Sequence, residues 1–268
     1  MFACIRAFAV AVALTAATAA AQTPRTVLLE ALTWPELRER IAHGATTVIV
    51  PVGGTEQNGP HMVLGKHNVR VRYLAERVAT ELGNAIVAPV VAYVPEGGVD
   101  PPTAHMRFPG TITVPSKVFE ATLESAGRSF RLHGFRDVVF LGDHGGYQKE
   151  LRVAADALNG EWRASAVRAH AIAEYYRATE VAWPAALREK GYRNEEIGTH
   201  AGLADTSLAL AVDPALVRTD KLRPDVRPLA TEGTYGDPRR ASADLGRVGT
   251  DLIVAATVAA IRKATARP

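Results

Sequence analysis

Residues 53–69 read GGTEQNGPHMVLGKHNV, and Glu56, His61 and His67 lie within twelve residues directly after the apolar run TTVIVPV. Carboxylate oxygens and imidazole nitrogens are ligands for a hydrolytic metal ion, which also needs one position open to water. His105, His144 and His200 likewise sit in loop-like stretches beside Gly, Pro or a carboxylate. The candidate ligand set is Glu56, His67, His144 and Asp205. No two of these stand at the i, i+4 spacing of a zincin helix, so the fold has to assemble the site. In LGDHGG (141–146), the amides of Gly145 and Gly146 can approach a ligand closely enough to hold an oxyanion. The same glycines also suit a tight strand-to-helix turn. Thr206 and Ser207 read as capping residues, and Ser207 lies outside any G-x-S-x-G elbow. His43, His133 and His170 lack polar company and read as ordinary histidines.

Positioning these loops requires regular elements. Runs at 46–52, 85–94, 137–142 and 165–172 are apolar and β-branched without alternation, as in strands buried on both faces. Amphipathic segments at 34–44, 68–83, 115–134, 147–160 and 241–266 read as helices. Strands alternating with helices predict a three-layer α/β domain with a mainly parallel sheet. In such sheets ligands bind beyond the carboxyl ends of the strands. That rule brings GGTEQNGPH and GDHGG to one edge. Pocket walls are expected from VPEGGVDPPTAHMRF (94–108), which carries His105, and from the stretch around Trp183.

The chain has 268 residues, 47% hydrophobic, with no linker or repeat to divide it, so one domain is expected. Residues 1–21 read as a secretory signal peptide: Arg6, a short Ala-rich apolar run, then small residues ending at Ala21. The run is short for a membrane span, so no membrane anchor is expected after cleavage. The mature domain would be residues 22–268, periplasmic or secreted. Its removal takes away Cys4, the single cysteine, and with it disulfide, thiolate-metal and cysteine-nucleophile chemistry. The net charge of +3 is made by scattered residues, with no basic, aromatic-interleaved patch for nucleic acid.

The blocks PVGGTEQNGPHMVLGKH (51–67), HMRFPGTITV (105–114), LGDHGGYQKEL (141–151), THAGLADTSL (199–208) and GTYGDPRRASADLGR (233–247) resemble, in order, those of the creatininase family. The resemblance spans about residues 45–260. It implies an α/β/α sandwich, usually in a hexamer of paired subunits. It also implies a zinc- or manganese-dependent amidohydrolase, often with two ions, in which metal-activated water attacks an amide of a small substrate. By the same resemblance Glu56 and His144 are ligands, His200 is the proton shuttle, and His61 lies beside the pocket.

The chain departs from the family pattern where ligands are expected. Asn58 replaces a ligand histidine, His67 replaces a ligand aspartate, and Asp205 stands for a glutamate. Both asparagines of the N-G-H-G-G-N block are lost, to Gly142 and Tyr147, and Asp143 stands beside His144 as a new acid. An aspartate bridges two cations with its two oxygens; a neutral imidazole does not. Glu56, His67, His144 and Asp205 carry two negative charges, which suits one zinc ion better than two. Asn58 then serves as a nearby hydrogen-bond partner, and Asp143 is an alternative ligand. Two other functions stay open on these residues: a non-catalytic small-molecule-binding protein, and a lactone or ester hydrolase using the same metal.

Overall fold

A computed structural model describes residues 26–223, 225–226 and 229–267. The leader assigned to residues 1–21 lies outside them. Four parallel strands form one sheet in the order β2-β1-β3-β4: β1 Thr47–Val52, β2 Ala85–Val87, β3 Asp137–Gly142 and β4 Arg168–Ala171. Alternate strand residues feed two separate cores. Val48, Val50, Val52, Val138 and Phe140 pack against α3 (Ser116–Leu132) and α4 (Gln148–Glu161). Ile49, Val139 and Leu141 pack with α2 (Lys66–Leu82), α8 (Leu203–Val212) and α9 (Ala243–Thr265) on the other face. All six residues of β1 and of β3 are buried, the continuous apolar signature of a sheet covered on both sides. The three-layer α/β/α sandwich is therefore as expected. Among the described residues no helix is long and apolar enough to cross a membrane.

Three differences from the sequence reading bear on the site. The strand expected over 85–94 stops at Val87, because Pro89 cannot donate to the ladder; Val91 makes only an isolated bridge to Val52. The rest of that run becomes loop and carries the chain over the strand ends. Helix α2 begins at Lys66 rather than at 68. This puts Lys66, His67 and Arg70 in its first turn, where i and i+3 or i+4 residues are neighbours. Between β4 and α8 the chain forms α5 (Ala173–Arg177), a π-helical turn (Ala178–Ala182), α6 (Trp183–Glu189) and α7 (Asn194–Ile197). The π turn places Thr179 and Glu180 on the wall of the cavity described below.

β1 and β3 run in register from Thr47↔Asp137 to Val52↔Gly142. Their exits therefore lie side by side, and the Asp143 amide donates to Val52 O at 3.0 Å. Helices α8 and α9 approach closely at Gly246, where a Cβ would stand 1.8 Å from Ser207 O. That contact seats the amino end of α8, with Asp205 in its first turn, over the same edge.

Candidate metal centre

Tyr147 ties the two strand exits together. Its buried hydroxyl accepts from the amides of Asp143 and His144, each at 3.1 Å, and reaches Val52 O at 2.8 Å. One residue in place of a family asparagine thus fixes the turn that presents His144. The loop after β1 carries Glu56 inward. Asn58 Nδ2 clamps that loop by donating to Glu56 O (2.9 Å) and Val63 O (3.1 Å).

The buried Glu56 carboxylate is ringed by four imidazoles. His67 Nε2 is 2.7 Å from its Oε1 and His105 Nε2 3.2 Å from its Oε2. His144 Nε2 is 3.6 Å from Oε2, and His200 Nδ1 is 3.8 Å from Oε1. Donor atoms of Glu56, His105 and His144 all lie within 4.8 Å of one another. Glu56 Oε2 is buried and without a hydrogen-bond partner. An orphaned carboxylate oxygen facing imidazole nitrogens fits a divalent cation. His67 stands between two carboxylates, its Nδ1 2.6 Å from Asp143 Oδ2. A neutral ring donates at only one nitrogen, so a cation shared by Glu56 and His67 satisfies both contacts when Nδ1–H serves Asp143. His67 is within reach as a fourth ligand.

Behind this ring runs a chain of alternating charge. Asp143 Oδ2 accepts from Arg70 Nε at 2.8 Å, and Arg70 Nη1 donates to Asp205 Oδ1 at 2.6 Å. The other Asp205 oxygen accepts from Lys66 Nζ. Tyr175 Oη donates to Asp143 Oδ1 at 2.5 Å. Asp205, expected among the ligands, is thus engaged by two cations and stands outside the Glu56–His105–His144 cluster. Asp143, the alternative ligand, is engaged in the same way. His105, expected to touch substrate, is brought into the cluster instead, with Nδ1 2.9 Å from Gln57 Nε2.

Other expected substrate contacts lie elsewhere. His61 is buried, with Nε2 3.0 Å from Thr206 Oγ1, and Asn58 is spent on its own loop; neither lines the cavity. The Gly146 amide lies 3.2 Å from His144 Nδ1 and so faces that ring. A Cβ at Gly145 would stand 2.5 Å from Tyr176 Oη, so the close approach of that tyrosine requires glycine there. Sequence reasoning missed Lys66, Arg70, Tyr175 and Glu96. Glu96 is buried from the loop after β2. Its Oε2 is 3.5 Å from His144 Nδ1, and its other oxygen lies against Gly54. A charged residue at the start of α2 beside His67 was the available signal for Lys66; nothing local marks Glu96.

The environment sets the charges. Burial alone would raise Glu56, but the His67 hydrogen bond and the His67, His144 and Lys66 charges hold it well below the usual carboxylate range. Asp143 and Asp205 are likewise depressed against burial, by Arg70 and by Lys66 with Arg70 respectively. Burial pushes His144 down to about 4 and His200 to about 3, keeping both rings neutral near pH 7. Burial, with the Glu56 charge next, pushes Glu96 up to about 9. Ala104 and Ala201, with φ of 47° and 53°, are non-glycine residues in the left-handed region immediately before His105 and after His200. Strain of this kind gathers at working sites.

A pH prediction follows for the metal-free protein. His61 also lies at about 4, against roughly 6.5 for an exposed histidine. Between pH 6.5 and 4 the unfolded chain binds protons at His61, His144 and His200 that the native state refuses, so stability falls as pH falls. Glu96 acts oppositely: its contribution is complete below about pH 4.3 and is lost as pH rises towards 9. In EDTA, urea midpoints should peak near pH 6.5, with the steeper loss on the acid side. A flat profile from pH 4.5 to 9 would contradict these shifts.

The ring opens into a cavity of about 1060 Å³, walled by Tyr176, Glu180, Trp183, Arg188, His200 and Tyr235 among others. Trp183 is fully buried and donates Nε1 to Ala204 O at 3.2 Å, so it is a fixed wall.

Known proteins share this fold and much of this sequence. The chain is 27% identical over 263 residues to a creatinine amidohydrolase from Pseudomonas putida, covering 89% of this chain and 97% of that protein. It is 28% identical over 225 residues to a mycofactocin precursor peptide peptidase from Mycobacterium ulcerans, covering 75% and 78% respectively. A solved creatininase described as the Mn form superposes with a TM-score of 0.75 at 25% identity, over 91% of this chain and all of that one. A Zn–Zn form of a creatininase variant superposes equally well, with a TM-score of 0.75 at 25% identity over the same shares. The sequence model for creatinine amidohydrolases matches residues 30–261, and this chain belongs to the creatininase family.

Proposed function

We propose that this protein is an exported, zinc-dependent amidohydrolase that opens a C–N bond of a small substrate at a one-metal centre. The observation that carries this reading is the orphaned Glu56 carboxylate oxygen ringed by imidazoles that themselves line the cavity. Glu56, His105 and His144 would hold the ion, with His67 as fourth ligand. Nitrogen-rich sets of this kind favour zinc, with manganese the alternative. When bound, the ion supplies Lewis acidity towards a carbonyl and its attacking water.

The chain's own groups do the rest. His200 Nε2 donates to Gln57 O at 2.9 Å, which fixes the tautomer and leaves Nδ1 as the lone pair facing Glu56. The neutral ring can take a proton at Nδ1 and pass it to a leaving nitrogen. Tyr176, Trp183 and Tyr235 supply aromatic walls against which a small substrate can pack. Export to the periplasm or beyond is supported by the leader-like residues 1–21, and a homo-oligomer, a hexamer by family habit, by the resemblance.

The relatives are named for creatinine, for a precursor peptide and, in Thermotoga maritima, for 3-dehydro-scyllo-inosose. The assay must therefore be broad. Zinc-loaded protein should be incubated with cyclic amides, linear amides and short peptides, with lactones alongside, and products read by mass spectrometry. Hydrolysis confined to amides supports the proposal. Hydrolysis of lactones alone transfers it to ester chemistry, and binding without turnover sinks it. With any amide substrate, His200→Ala should lower kcat about 10²–10⁴-fold while metal content stays unchanged. A parallel loss of metal would make His200 a ligand instead.

A further inference from the structure

Lys66 is the residue the proposed chemistry leaves unused. Its side chain is 1% exposed, yet it lines the cavity beside the cluster. A buried lysine is rare unless paired, and its one acceptor is Asp205, leaving two of three N–H donors without a partner in hydrogen-bond contact. It shares the cavity wall with His67, His105, His144 and His200, and its charge acts on Glu56, His105, His144 and His200.

We propose that the Lys66 ammonium is the second cation of this centre, occupying by covalent attachment the electrostatic place that a second divalent ion would otherwise take. This rests on the one-metal reading above. Three ionised carboxylates, Glu56, Asp143 and Asp205, face two fixed cations, Lys66 and Arg70. One negative charge remains, and a single divalent ion more than balances it. A second would meet a net positive, desolvated site whose remaining carboxyl group, Glu96 beside His144, is disfavoured from ionising by its burial and by the Glu56 charge. Asp205 is the pivot: Lys66 and Arg70 each take one of its oxygens, so it has none to offer a metal. The unused N–H donors beside the cavity suit Lys66 to a second task, holding negative charge that develops on a carbonyl oxygen.

The test is metal stoichiometry, which needs no substrate. EDTA-stripped full-length protein should be titrated with Zn²⁺, and separately with Mn²⁺, by calorimetry, with elemental analysis after gel filtration. Wild type should take one ion. Lys66→Met should take two, and Lys66→Arg, which keeps the charge, should stay at one. Arg77→Met, which removes a distant surface cation paired with Asp251, should also stay at one. If Lys66→Met does not fold, Lys66→Gln keeps a donor for Asp205 without the charge and should also gain the second ion. Two ions in wild type would overturn the one-metal reading. One ion in wild type and one in folded Lys66→Met or Lys66→Gln would overturn this inference alone.

Discussion

Glu56→Gln should lose its metal while keeping its fold. Glutamine has the same shape, so the buried site stays filled and the loop clamped by Asn58 is undisturbed. What disappears is the only carboxylate in the Glu56–His105–His144 cluster. Removing an outer-shell partner already costs about 10–100-fold in metal affinity, so loss of the charged ligand itself should cost more than ~10²-fold. Elemental analysis after dialysis should fall from one ion per chain to a small fraction. Hydrolysis should fall with it and recover in part at high Zn²⁺. His144→Ala should match it in metal content, because it removes one of the two imidazoles of the cluster while keeping the backbone amide that bonds Tyr147. The control is thermal unfolding in EDTA, where Glu56→Gln should stay close to wild type. Full metal retention in either variant would mean that the cluster is a hydrogen-bonded core and not a metal centre.

The sequence carried the fold further than the site. Strand runs at 46–52 and 137–142 are apolar at every position, and that pattern survives because both faces of the sheet are covered. Glu56 and His144 were legible because they directly follow those strands. Asp205 was not, because a carboxylate's role depends on which cation reaches it first. Two cations reach it from the start of α2, and placing the start of that helix at 68 instead of 66 left Lys66 outside it. Glu96 was invisible for another reason. It comes from a loop without periodicity, and only the tertiary path over the strand ends buries it beside His144. Asn58 looked like a displaced ligand, yet its amide holds two carbonyls of its own loop. Residue type and spacing nominate groups; partner geometry assigns them.

Asp143→Ala should be among the most destabilising single changes in this protein. The residue is 2% exposed and its carboxylate is hydrogen-bonded by three side chains, Arg70, His67 and Tyr175. Truncation leaves the Arg70 guanidinium buried with Asp205 as its remaining carboxylate, and strands the Tyr175 hydroxyl. Breaking one side of a buried ion pair costs about 3–5 kcal/mol because the other charge stays behind. For a domain of this size that is a fall in Tm of roughly 6–20 °C. Metal affinity should drop too, by about 10–100-fold, since His67 loses the group that orients its ring. Asp143→Asn keeps a partner for Tyr175 and should fall between wild type and Asp143→Ala. The double variant Arg70→Met, Asp143→Ala is the decisive comparison. Removing the orphaned charge together with its partner should restore part of the lost stability, although Asp205 then depends on Lys66 alone. If the double variant is as unstable as the two single losses added together, Arg70 and Asp143 are not coupled, and the alternating chain from Lys66 to Glu56 is not one network.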